Sequence, residues 1–464
     1  MNNIRLVNFR NIKDSGEIEL KPLTVFVGKN GSGKSSLLRL FPLLQQSLSA
    51  ARKGPLLWYH EKGVDFGDFS TTVRNGEKEI KIGFTMEYDR DNEGDGFPVK
   101  LLISIIPNEK EHGYDCINNM TLNFLGNDVY FEYKETGKAL VSVNQLPPVE
   151  VKCADFLFSI FPYFSFEQEY KVVGFQELRD CLSKEGLYKD FIDPSDFIGL
   201  TFEQFQKLLE GKEFGYNLKT TYNSIILAYL DSLIVNLTMI LNFQVQSLTY
   251  IGPFRTAPNR YSRLQNLETK QINKDGSNMA VFVNAMKEKE KEGFNELLRQ
   301  KYNFELHSES HFGQISLFIN KDGKKSNIID TGFGYSQVMP ILLALYTFDL
   351  SNQSTRYPFG RGADMLCIEQ PELHLHPSMQ YTLGESFVES VKDIVSKKNK
   401  KKILLETHSR SIIDAVGHAV SLGKINASDV AVYIFNTNGG DAEITRSSFN
   451  EDGYLTNWPL GFLD

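Results

Sequence analysis

Apolar and polar positions recur with different periods along this chain, and the changes of period divide it into regions. A glycine-rich stretch at 28–33 separates a region of short strands from an apolar helix predicted from Ser35 to about Ser47. Between about 78 and 145, β-rich runs alternate with Gly, Asn and Asp turns, which predicts an antiparallel meander. The strands predicted before the helix are Ile4–Phe9, Glu17–Leu20 and Leu23–Val27.

After residue 149 the pattern of apolar and polar residues changes twice. Residues 150–245 are rich in aromatic side chains and have a helical period, without a heptad run long enough for a coiled-coil arm. From residue 246 onward, apolar strands alternate with helical segments, which predicts a parallel sheet covered by helices. The chain is therefore predicted to be an α/β protein in three parts: an N-terminal lobe with an antiparallel β subdomain (1–149), a helical insert (150–245) and a C-terminal lobe (246–464).

One apolar run is long enough to raise the question of a membrane span. Residues 222–241 are mostly apolar, but Asp231 and Asn236 interrupt them, and the polar positions recur as on an amphipathic helix. The N-terminal residues also lack the apolar segment of a signal peptide. We therefore expect a core helix, no membrane span and a cytoplasmic protein.

Composition narrows the class of protein without adding a function. Of the 464 residues, 41% are apolar and 23% are charged, which are ordinary values for a globular protein. The net charge of −8 excludes a polycationic chain, so DNA binding would need a local basic patch. The four cysteines form no CxxC pair, which indicates buried thiols in a reducing compartment.

A phosphate-binding motif follows the third predicted strand. The residues GKNGSGKS at 28–35 fit the pattern G-x-x-x-x-G-K-[ST] between a strand and a helix. Such a loop surrounds phosphate oxygens with backbone N–H groups, while its lysine reaches the β- and γ-phosphates and its serine binds Mg²⁺. A plain glycine turn is the alternative, but the flanking elements favour a site for ATP and Mg²⁺. The predicted contacts are Asn30, Gly31, Ser32, Gly33, Lys34, Ser35 and Ser36, with Ser35 also as a metal ligand.

Three later segments stand in the order that a composite ATPase site needs. DTGFGYSQ (330–337) precedes an apolar helix, LCIEQPE (366–372) ends a strand with acids, and LLETHS (404–409) ends another strand with His408. Each segment alone is a weak signal, because a glycine-rich turn is usually a cap and a histidine after a strand is usually structural. Together, behind a phosphate-binding loop, they predict a second phosphate contact, a metal ligand and a hydrogen-bond donor to the γ-phosphate.

The acidic segment carries an unusual residue at the position of the catalytic base. Glu369 stands where a magnesium ligand is expected, but the next residue is Gln370, whose amide cannot accept a proton. A glutamine can still orient a water molecule, and phosphoryl transfer depends more on positioning than on proton removal. Glu372 lies two residues further on, and which of these two side chains places the attacking water stays open. We therefore expect a slow ATPase rather than an inactive one.

These motifs and their order resemble the ABC-type ATPases of the SMC, RecF and OLD group. Within that group the chain is similar to ATPases of bacterial anti-phage defence loci and retron-type cassettes, nearest to the ATPase subunits of the PARIS and then the Septu systems. The likeness covers about residues 1–45 and 246–464. The segments that carry it are TYIGPFRTAPNRY (249–261), GFGYSQVMP (332–340), IEQPELHLHP (368–377) and NWPLGFLD (457–464).

The resemblance implies an ABC-type head in which two protomers hold each ATP between them. The signature segment of one protomer would contact the γ-phosphate on the other, so the protein would form a dimer or a higher even assembly. Two departures from the family pattern stand out: the signature is not LSGGQ, and no Q-loop glutamine follows the first helix. The signature residues expected to act on the partner's nucleotide are Gly332, Gly334, Ser336 and Gln337.

The same resemblance places further side chains near the nucleotide. Phe9, Arg10 and Asn11 occupy the position of a nucleotide-adjacent loop in related heads, although a turn at a strand end is an equally good explanation. Arg255 and Arg260 are either anion contacts or surface residues paired with acids, and both alternatives stay open.

The resemblance also implies a role in anti-phage defence. The chain would be a sensor and scaffold that responds to a phage-encoded trigger and controls a separate toxic effector, a Toprim-type nuclease in a PARIS-like system or an HNH nuclease in a Septu-like one. The segment after His408 is too short for a Toprim domain of its own, and the signature does not fit a transporter subunit. The alternative function is a RecF- or SMC-like DNA-repair ATPase that clamps DNA.

Overall fold

Strands and helices follow the periodicity of the sequence through most of the chain. The computed structural model describes residues 1–88, 96–108, 114–134, 138–144, 146–154, 163–165, 172–183, 197–264, 271–350, 365–397 and 399–458. The strands of the first part are β1 (Asn3–Phe9), β2 (Ile12–Asp14), β3 (Ile18–Glu19), β4 (Leu23–Gly28), β5 (Ile80–Tyr88), β6 (Phe97–Pro107), β7 (Asp115–Phe124), β8 (Asn127–Tyr133), β9 (Lys138–Val143), β10 (Val149–Ala154) and β11 (Tyr163–Ser165).

The remaining strands lie after residue 246. They are β12 (Thr249–Ile251), β13 (Ser262–Arg263), β14 (Glu305–His311), β15 (Gln314–Lys321), β16 (Lys324–Asn327), β17 (Met365–Glu369), β18 (Lys402–Thr407), β19 (Val430–Asn438) and β20 (Asp441–Ser447). The helices are α1 (Lys34–Leu38), α2 (Leu40–Ser49), α3 (Phe69–Thr72), α4 (Phe175–Ser183), α5 (Phe202–Leu208), α6 (Leu218–Gln246), α7 (Met279–Ala285), α8 (Glu288–Tyr302), α9 (Phe333–Leu350), α10 (Pro377–Ser396) and α11 (Arg410–Ser421).

The described residues cluster into two units, and the chain crosses from one unit to the other three times. Unit 1 comprises Met1–Glu19 and Leu43–Phe243, and unit 2 comprises Leu20–Pro42 and Gln244–Asp464. The phosphate-binding loop therefore belongs to unit 2, although it lies within the N-terminal lobe that the sequence predicts. The three-part division at residues 149 and 245 stays a prediction.

Unit 1 is built on a ten-stranded antiparallel sheet. Its order is β11-β10-β9-β8-β7-β6-β5-β1-β2, with β3 paired to β1. Strands β5 to β9 are neighbours in chain order, which confirms the antiparallel meander predicted between 78 and 145. A row of directly paired, buried side chains crosses five strands and fixes their register: Ile82, Ile103, Met120, Phe131 and Val141.

The apolar run at 222–241 lies inside the 29-residue helix α6. Among the described residues, α6 is a helix long and apolar enough to cross a membrane by length and composition, and 56% of its most apolar window is buried in the structure. Its Asn236 and Tyr229 also hydrogen bond to the hydroxyl of Tyr88 on β5. This burial and bonding fit the core helix that the sequence predicts.

Unit 2 is built on a six-stranded mixed sheet in the order β12-β17-β18-β4-β19-β20. The pairings from β12 to β19 are parallel, and only β19 with β20 is antiparallel. Every residue of β4 and β17 is buried, as expected for strands covered by helices on both faces. The α/β class with a mixed core sheet, an antiparallel sheet and helices is therefore confirmed.

The sheet order brings distant parts of the chain together at one edge. Because β17, β18 and β4 run parallel, their carboxyl ends lie at the same edge, where α/β proteins bind ligands. The phosphate-binding loop follows β4, the acidic segment follows β17, and His408 follows β18. A separate four-stranded sheet, β13-β15-β14 with β16 on β15, completes unit 2.

Candidate nucleotide-binding site

The phosphate-binding loop owes its shape to two glycines. Gly28 has a φ of +155°, and a Cβ there would lie 2.3 Å from the carbonyl oxygen of Phe435 on β19. Gly33 precedes α1 with a φ of +102°, a conformation that L side chains rarely adopt. Asn30 and Gly31 are exposed, whereas Ser32 is buried and its hydroxyl donates to the carbonyl of Lys29. The loop thus folds as the motif predicts, with its tip open to solvent.

Lys34 is folded back against the loop that carries it. The side chain is 3% exposed, and Nζ donates to the carbonyl oxygens of Gly28 (2.9 Å) and Lys29 (2.7 Å). Burial lowers the pKa of Lys34, while the nearby carboxylates of Glu406 and Glu372 oppose that shift. Its ammonium is therefore held where the phosphate oxygens of a nucleotide would compete with two carbonyls for it.

Two buried carboxylates stand side by side where β17 and β18 end. Glu369 pairs with Glu406 in the sheet register, and their exposed fractions are 1% and 2%. The hydroxyl of Ser35 donates to Glu406 Oε1 at 2.8 Å, which ties the second carboxylate to the start of α1. Sequence reasoning singled out Glu369 and missed Glu406. The available signal was its place between an apolar strand and His408.

The two carboxylates have different partners. Arg39 donates to both oxygens of Glu369, with Nε 2.8 Å from Oε1 and a terminal nitrogen 2.7 Å from Oε2. The hydroxyl of Tyr250 on β12 donates to the same Oε1 at 2.7 Å. In contrast, Glu406 Oε2 is buried and has no hydrogen-bond partner within the described part of the chain.

The hydrogen bonds and neighbouring charges shift the pKa values of Arg39 and Glu406. The hydrogen bond to Glu369 holds the pKa of Arg39 above its usual value. Burial, together with the neighbouring Glu369, raises the pKa of Glu406 to about 7, against the smaller effects of Ser35, Lys34 and Arg39. The two adjacent buried carboxylates repel each other, and a cation bound at this edge of the sheet would relieve that repulsion.

Gln370 and Glu372 shape the turn after β17. Gln370 has a φ of +43°, and its backbone N–H donates to the carbonyl of Glu406 at 2.8 Å. Both oxygens of Glu372 accept hydrogen bonds at 2.7 Å, one from the hydroxyl of Thr407 and one from the backbone N–H of His408. Burial raises the pKa of Glu372, opposed by these two bonds. The Glu372 carboxylate thus anchors the segment after β18, and its placing of water stays a prediction.

His408 has a ring nitrogen available for a ligand. Its Nε2 is buried and makes no hydrogen bond to any residue that the structure describes. Burial and the charge of Lys34 lower the pKa of His408 to about 4, so the imidazole is neutral at physiological pH. A neutral ring with an unused Nε2 fits the predicted role of a hydrogen-bond donor to a phosphate.

Arg255 turns out to be a buried residue of the site. It is 6% exposed, and one terminal nitrogen donates to the carbonyl oxygens of Glu369 (2.9 Å) and Gln370 (3.1 Å). Burial lowers its pKa to about 10. Arg255 is therefore not a surface residue paired with an acid. Arg260, in contrast, is a surface residue paired with an acid, because it forms two hydrogen bonds, 2.6 and 2.9 Å long, with the exposed carboxylate of Asp330.

The signature segment presents few of its predicted residues to solvent. Ser336 is 3% exposed and its hydroxyl donates to the carbonyl of Phe333, while Gln337 is 2% exposed and donates to the carbonyl of Arg255. A Cβ at Gly334 would meet the carbonyl oxygen of His374 at 3.2 Å. Gly332 and Phe333 are the exposed residues at this end of α9. Contact of the segment with a partner's nucleotide stays a prediction.

Arg10 and Asn11 lie in unit 1, in the turn between β1 and β2. Arg10 has a φ of +53°, and its guanidinium lies 4.8 Å from the centre of the Phe66 ring. The backbone N–H of Arg10 donates to the carbonyl of Thr72, and Phe9 is fully buried. These contacts account for the turn, and a nucleotide contact by Arg10 or Asn11 stays a prediction.

The residues at this edge fit ATP with Mg²⁺. The loop amides and Lys34 suit phosphates, Ser35 offers a hydroxyl, and Glu406 Oε2 and His408 Nε2 are buried polar atoms without partners in the described structure. No cluster of three or more His, Cys, Asp or Glu side chains able to hold a metal occurs among the described residues. A metal with few protein ligands is what Mg²⁺ prefers when substrate phosphates and water supply the others.

Comparison with known proteins gives a family and a distant relative. The profile of the AAA ATPase domain family matches residues 1–413. Endonuclease GajA of Bacillus cereus (strain HuB5-5) is 22% identical over 394 residues, covering 77% of this chain and 56% of that protein. The chain thus spans about half the length of this curated relative.

Solved structures that align with most of the chain share little sequence with it. The SMC head domain from Thermotoga maritima is 11% identical with a TM-score of 0.38, covering 96% of this chain and 97% of that one. The recombination mediator protein RecF is 13% identical with a TM-score of 0.31, covering the same shares.

Proposed function

The chain belongs to the AAA ATPase domain family, and we propose that it binds ATP with Mg²⁺ at the shared edge of β4, β17 and β18 and hydrolyses it slowly. The observation that carries this proposal is the convergence of four side chains from three distant segments. Lys34 and Ser35 come from the phosphate-binding loop, and Glu369 and Glu406 come from adjacent strand ends. Such a set binds a phosphate chain and a cation together.

The chemistry follows from these side chains. Lys34 exchanges two loop carbonyls for phosphate oxygens, and neutral His408 donates from Nε2 to a phosphate oxygen. Ser35 and a carboxylate beside it would hold Mg²⁺, which would supply positive charge to the phosphates when bound. Gln370 orients a water molecule without removing its proton, and loss of general-base help typically costs about a hundred- to ten-thousand-fold in rate. Turnover is therefore slow.

The test is nucleotide binding and turnover by the purified chain. Wild-type protein is expected to bind a fluorescent ATP analogue and to release phosphate slowly in the presence of Mg²⁺. Lys34→Ala removes the buried ammonium and is expected to abolish both. Lys29→Ala removes an exposed lysine of the same loop and should leave both unchanged. Wild-type affinity in Lys34→Ala would sink the site assignment.

ATP binding is proposed to drive self-association into a dimer or a higher even assembly. Several exposed apolar side chains lie on segments that bond to one another around the start of α9: Arg260 pairs with Asp330, and Leu264 N–H donates to Gly313. A contiguous patch of exposed apolar side chains is typical of an interaction surface, and we propose that these residues contribute to one. The exposed members are Phe254 (86%), Tyr261 (53%), Leu264 (45%), Phe312 (106%), Ile329 (43%) and Phe333 (49%).

The biological role that we propose is control of a separate effector in cytoplasmic anti-phage defence, as in the PARIS or Septu systems. The similarity to a protein named an endonuclease, of which this chain spans about half, supports a nuclease as the effector class. A phage product would act as the trigger. The alternative of a DNA-clamping repair ATPase predicts strong stimulation of turnover by DNA, with affinity falling steeply as salt rises. Phosphate release measured with and without DNA at two salt concentrations distinguishes the two roles.

A further inference from the structure

The acid that faces the metal ion can be identified from the partners of the two buried carboxylates. Glu369 is the acid expected from the motif order, yet both of its oxygens are already engaged. Arg39 spans them with two charge-assisted hydrogen bonds, and the Tyr250 hydroxyl adds a third bond to Oε1. Such bonds are about twice as strong as neutral ones, and the guanidinium already neutralises this carboxylate. A second cation at Glu369 would have to displace these partners.

Glu406 has the opposite surroundings. Its Oε1 accepts a proton from the hydroxyl of Ser35 at 2.8 Å, and Ser35 is the one loop residue whose side chain is expected to bind the metal. Its Oε2 is buried without a partner in the residues that the structure describes. A hydroxyl that donates its proton to Glu406 keeps its oxygen lone pairs free for a cation. The geometry therefore leaves both Ser35 and Glu406 able to face the same ion.

We propose that Glu406, rather than Glu369, is the carboxylate that faces Mg²⁺ together with Ser35, directly or through a metal-bound water. Glu369 is then a positioning residue: with Arg39 and Tyr250 it fixes the end of β17, beside Glu406 in the sheet register. This inference rests on the proposed ATP site and deepens it. The proposal also accounts for the difference between the two carboxylates: Glu406 Oε2 has no hydrogen-bond partner among the described residues, whereas both oxygens of Glu369 are bonded.

The experiment measures metal and nucleotide binding separately from turnover. Affinity for a fluorescent ATP analogue is determined with Mg²⁺ and with EDTA, and Mn²⁺ bound in the presence of nucleotide is counted by electron paramagnetic resonance. Glu406→Gln is expected to weaken metal-dependent affinity about tenfold or more, as losses of metal-site groups typically do, while affinity in EDTA is unchanged or tighter. Glu369→Gln is expected to weaken metal-dependent affinity less than Glu406→Gln does, because Glu369 acts on the ion only through its neighbours and the glutamine amide can still accept a hydrogen bond from Arg39 or Tyr250.

Two further variants keep the outcome decisive. Glu443→Gln changes an exposed glutamate on β20 and should match wild type in every measurement. If Glu406→Gln does not fold, Glu406→Asp serves in its place. It keeps the carboxylate charge but moves the oxygens away from the metal position by one methylene, so it should bind Mn²⁺ more weakly than wild type. Loss of Mn²⁺ binding in Glu369→Gln with retention in Glu406→Gln would overturn the assignment. Failure of wild type to bind any nucleotide would instead refute the proposed function.

Discussion

The residue after the first buried acid is held in a backbone conformation that is uncommon for any side chain but glycine. Gln370 has a φ of +43°, and hydrogen bonds fix its peptide group on both sides, from its own N–H to Glu406 and from Arg255 to its carbonyl. Non-glycine residues in the left-handed region persist only where the surroundings determine them, and such residues cluster at functional sites. The backbone conformation of Gln370 is therefore set by its surroundings in the site and not by local preference.

Gln370→Glu is expected to leave turnover unchanged or to raise it. Glutamate has nearly the same shape as glutamine and adds a group that accepts a proton, whereas the amide can only orient water. Gln370→Ala removes both functions and is expected to lower the turnover rate about tenfold or more. The measurement is the steady-state rate of phosphate release at saturating ATP and Mg²⁺. If Gln370→Glu is inactive and Gln370→Ala is not, the water is placed by another residue.

At the residue scale, a prediction from sequence is possible where a motif is contiguous. The phosphate-binding loop is read from eight adjacent residues, because its chemistry needs glycines, a lysine and a serine at fixed spacing. The partners of the acids are not contiguous: Ser35 and Glu406 are 371 positions apart, and Arg39 and Glu369 are 330 apart. Only the strand order brings them together. No local pattern marks Arg39 or Tyr250 as partners of Glu369, so the distinction between the two carboxylates needed the structure.

At the scale of elements, the alternation of apolar and polar residues predicted the antiparallel meander, because each strand of the meander pairs with its neighbour in sequence. Strand β14 is not predicted by such a pattern, since it carries two histidines, two glutamates and two serines and only Leu306 is fully buried. A strand that is half solvated by polar side chains has little hydrophobic signal. The segment 330–337 was expected to precede a helix, but α9 already begins at Phe333, because helix boundaries are the least certain part of a prediction from periodicity.

Asp115, at the start of β7, is expected to make the stability of unit 1 depend on pH. It is 6% exposed, Trp58 Nε1 donates to Oδ1 at 3.2 Å, and Oδ2 is a buried oxygen without a partner in the described structure. Burial raises its pKa to about 6, against the smaller effects of Trp58 and Arg52. Since this value lies above the pKa of the unfolded chain, stability contributed by the neutral form is present at about pH 4 and is lost as pH rises through 6.

The corresponding variant is Asp115→Asn, which cannot ionise. We expect it to be more stable than wild type above pH 6, by on the order of 1–3 kcal/mol, with the difference vanishing near pH 4. Urea unfolding followed by tryptophan fluorescence at pH 4.5, 6 and 7.5 measures the difference. Asp128→Asn, at an exposed position on the neighbouring strand β8, is the control and should show no such trend. Parallel pH profiles for wild type and Asp115→Asn would contradict the argument.

At the scale of the whole molecule, composition could not reveal that the chain passes between two units. Leu20–Pro42 clusters with Gln244–Asp464 because β4 pairs in parallel with β18 and β19, which lie more than three hundred residues later. Domain boundaries predicted from changes in periodicity depend only on residues that are close in sequence, so they cannot reveal pairing between distant strands. The motif order did predict that the loop, the acids and His408 would meet, since ATPases of the resembled group require it.

Phe333→Asp is expected to prevent ATP-dependent self-association without weakening ATP binding. Phe333 is 49% exposed at the start of α9, so a charge there leaves the packed interior intact but opposes burial in an interface. Ser336→Arg is a less specific test, because Ser336 is 3% exposed and an arginine would disturb the core. Light scattering with and without a slowly hydrolysed ATP analogue gives the mass. Tyr454→Asp, at a residue 72% exposed, is the control and should behave as wild type. A wild-type protein that stays monomeric at saturating ATP and still hydrolyses it would refute the proposal that two protomers hold each ATP between them.

The last prediction is that the toxic activity of the system resides on a partner protein. The motifs of the chain form one nucleotide site, and its resemblance to defence ATPases implies a separate effector. Co-expression with the neighbouring gene, followed by pull-down and phage challenge, is expected to give a stable complex and protection only when both proteins are present. Lys34→Ala should remove protection, since the assembly depends on ATP. Cleavage of DNA by the purified chain alone, or protection by the chain alone, would contradict a two-part system, because neither outcome needs a partner.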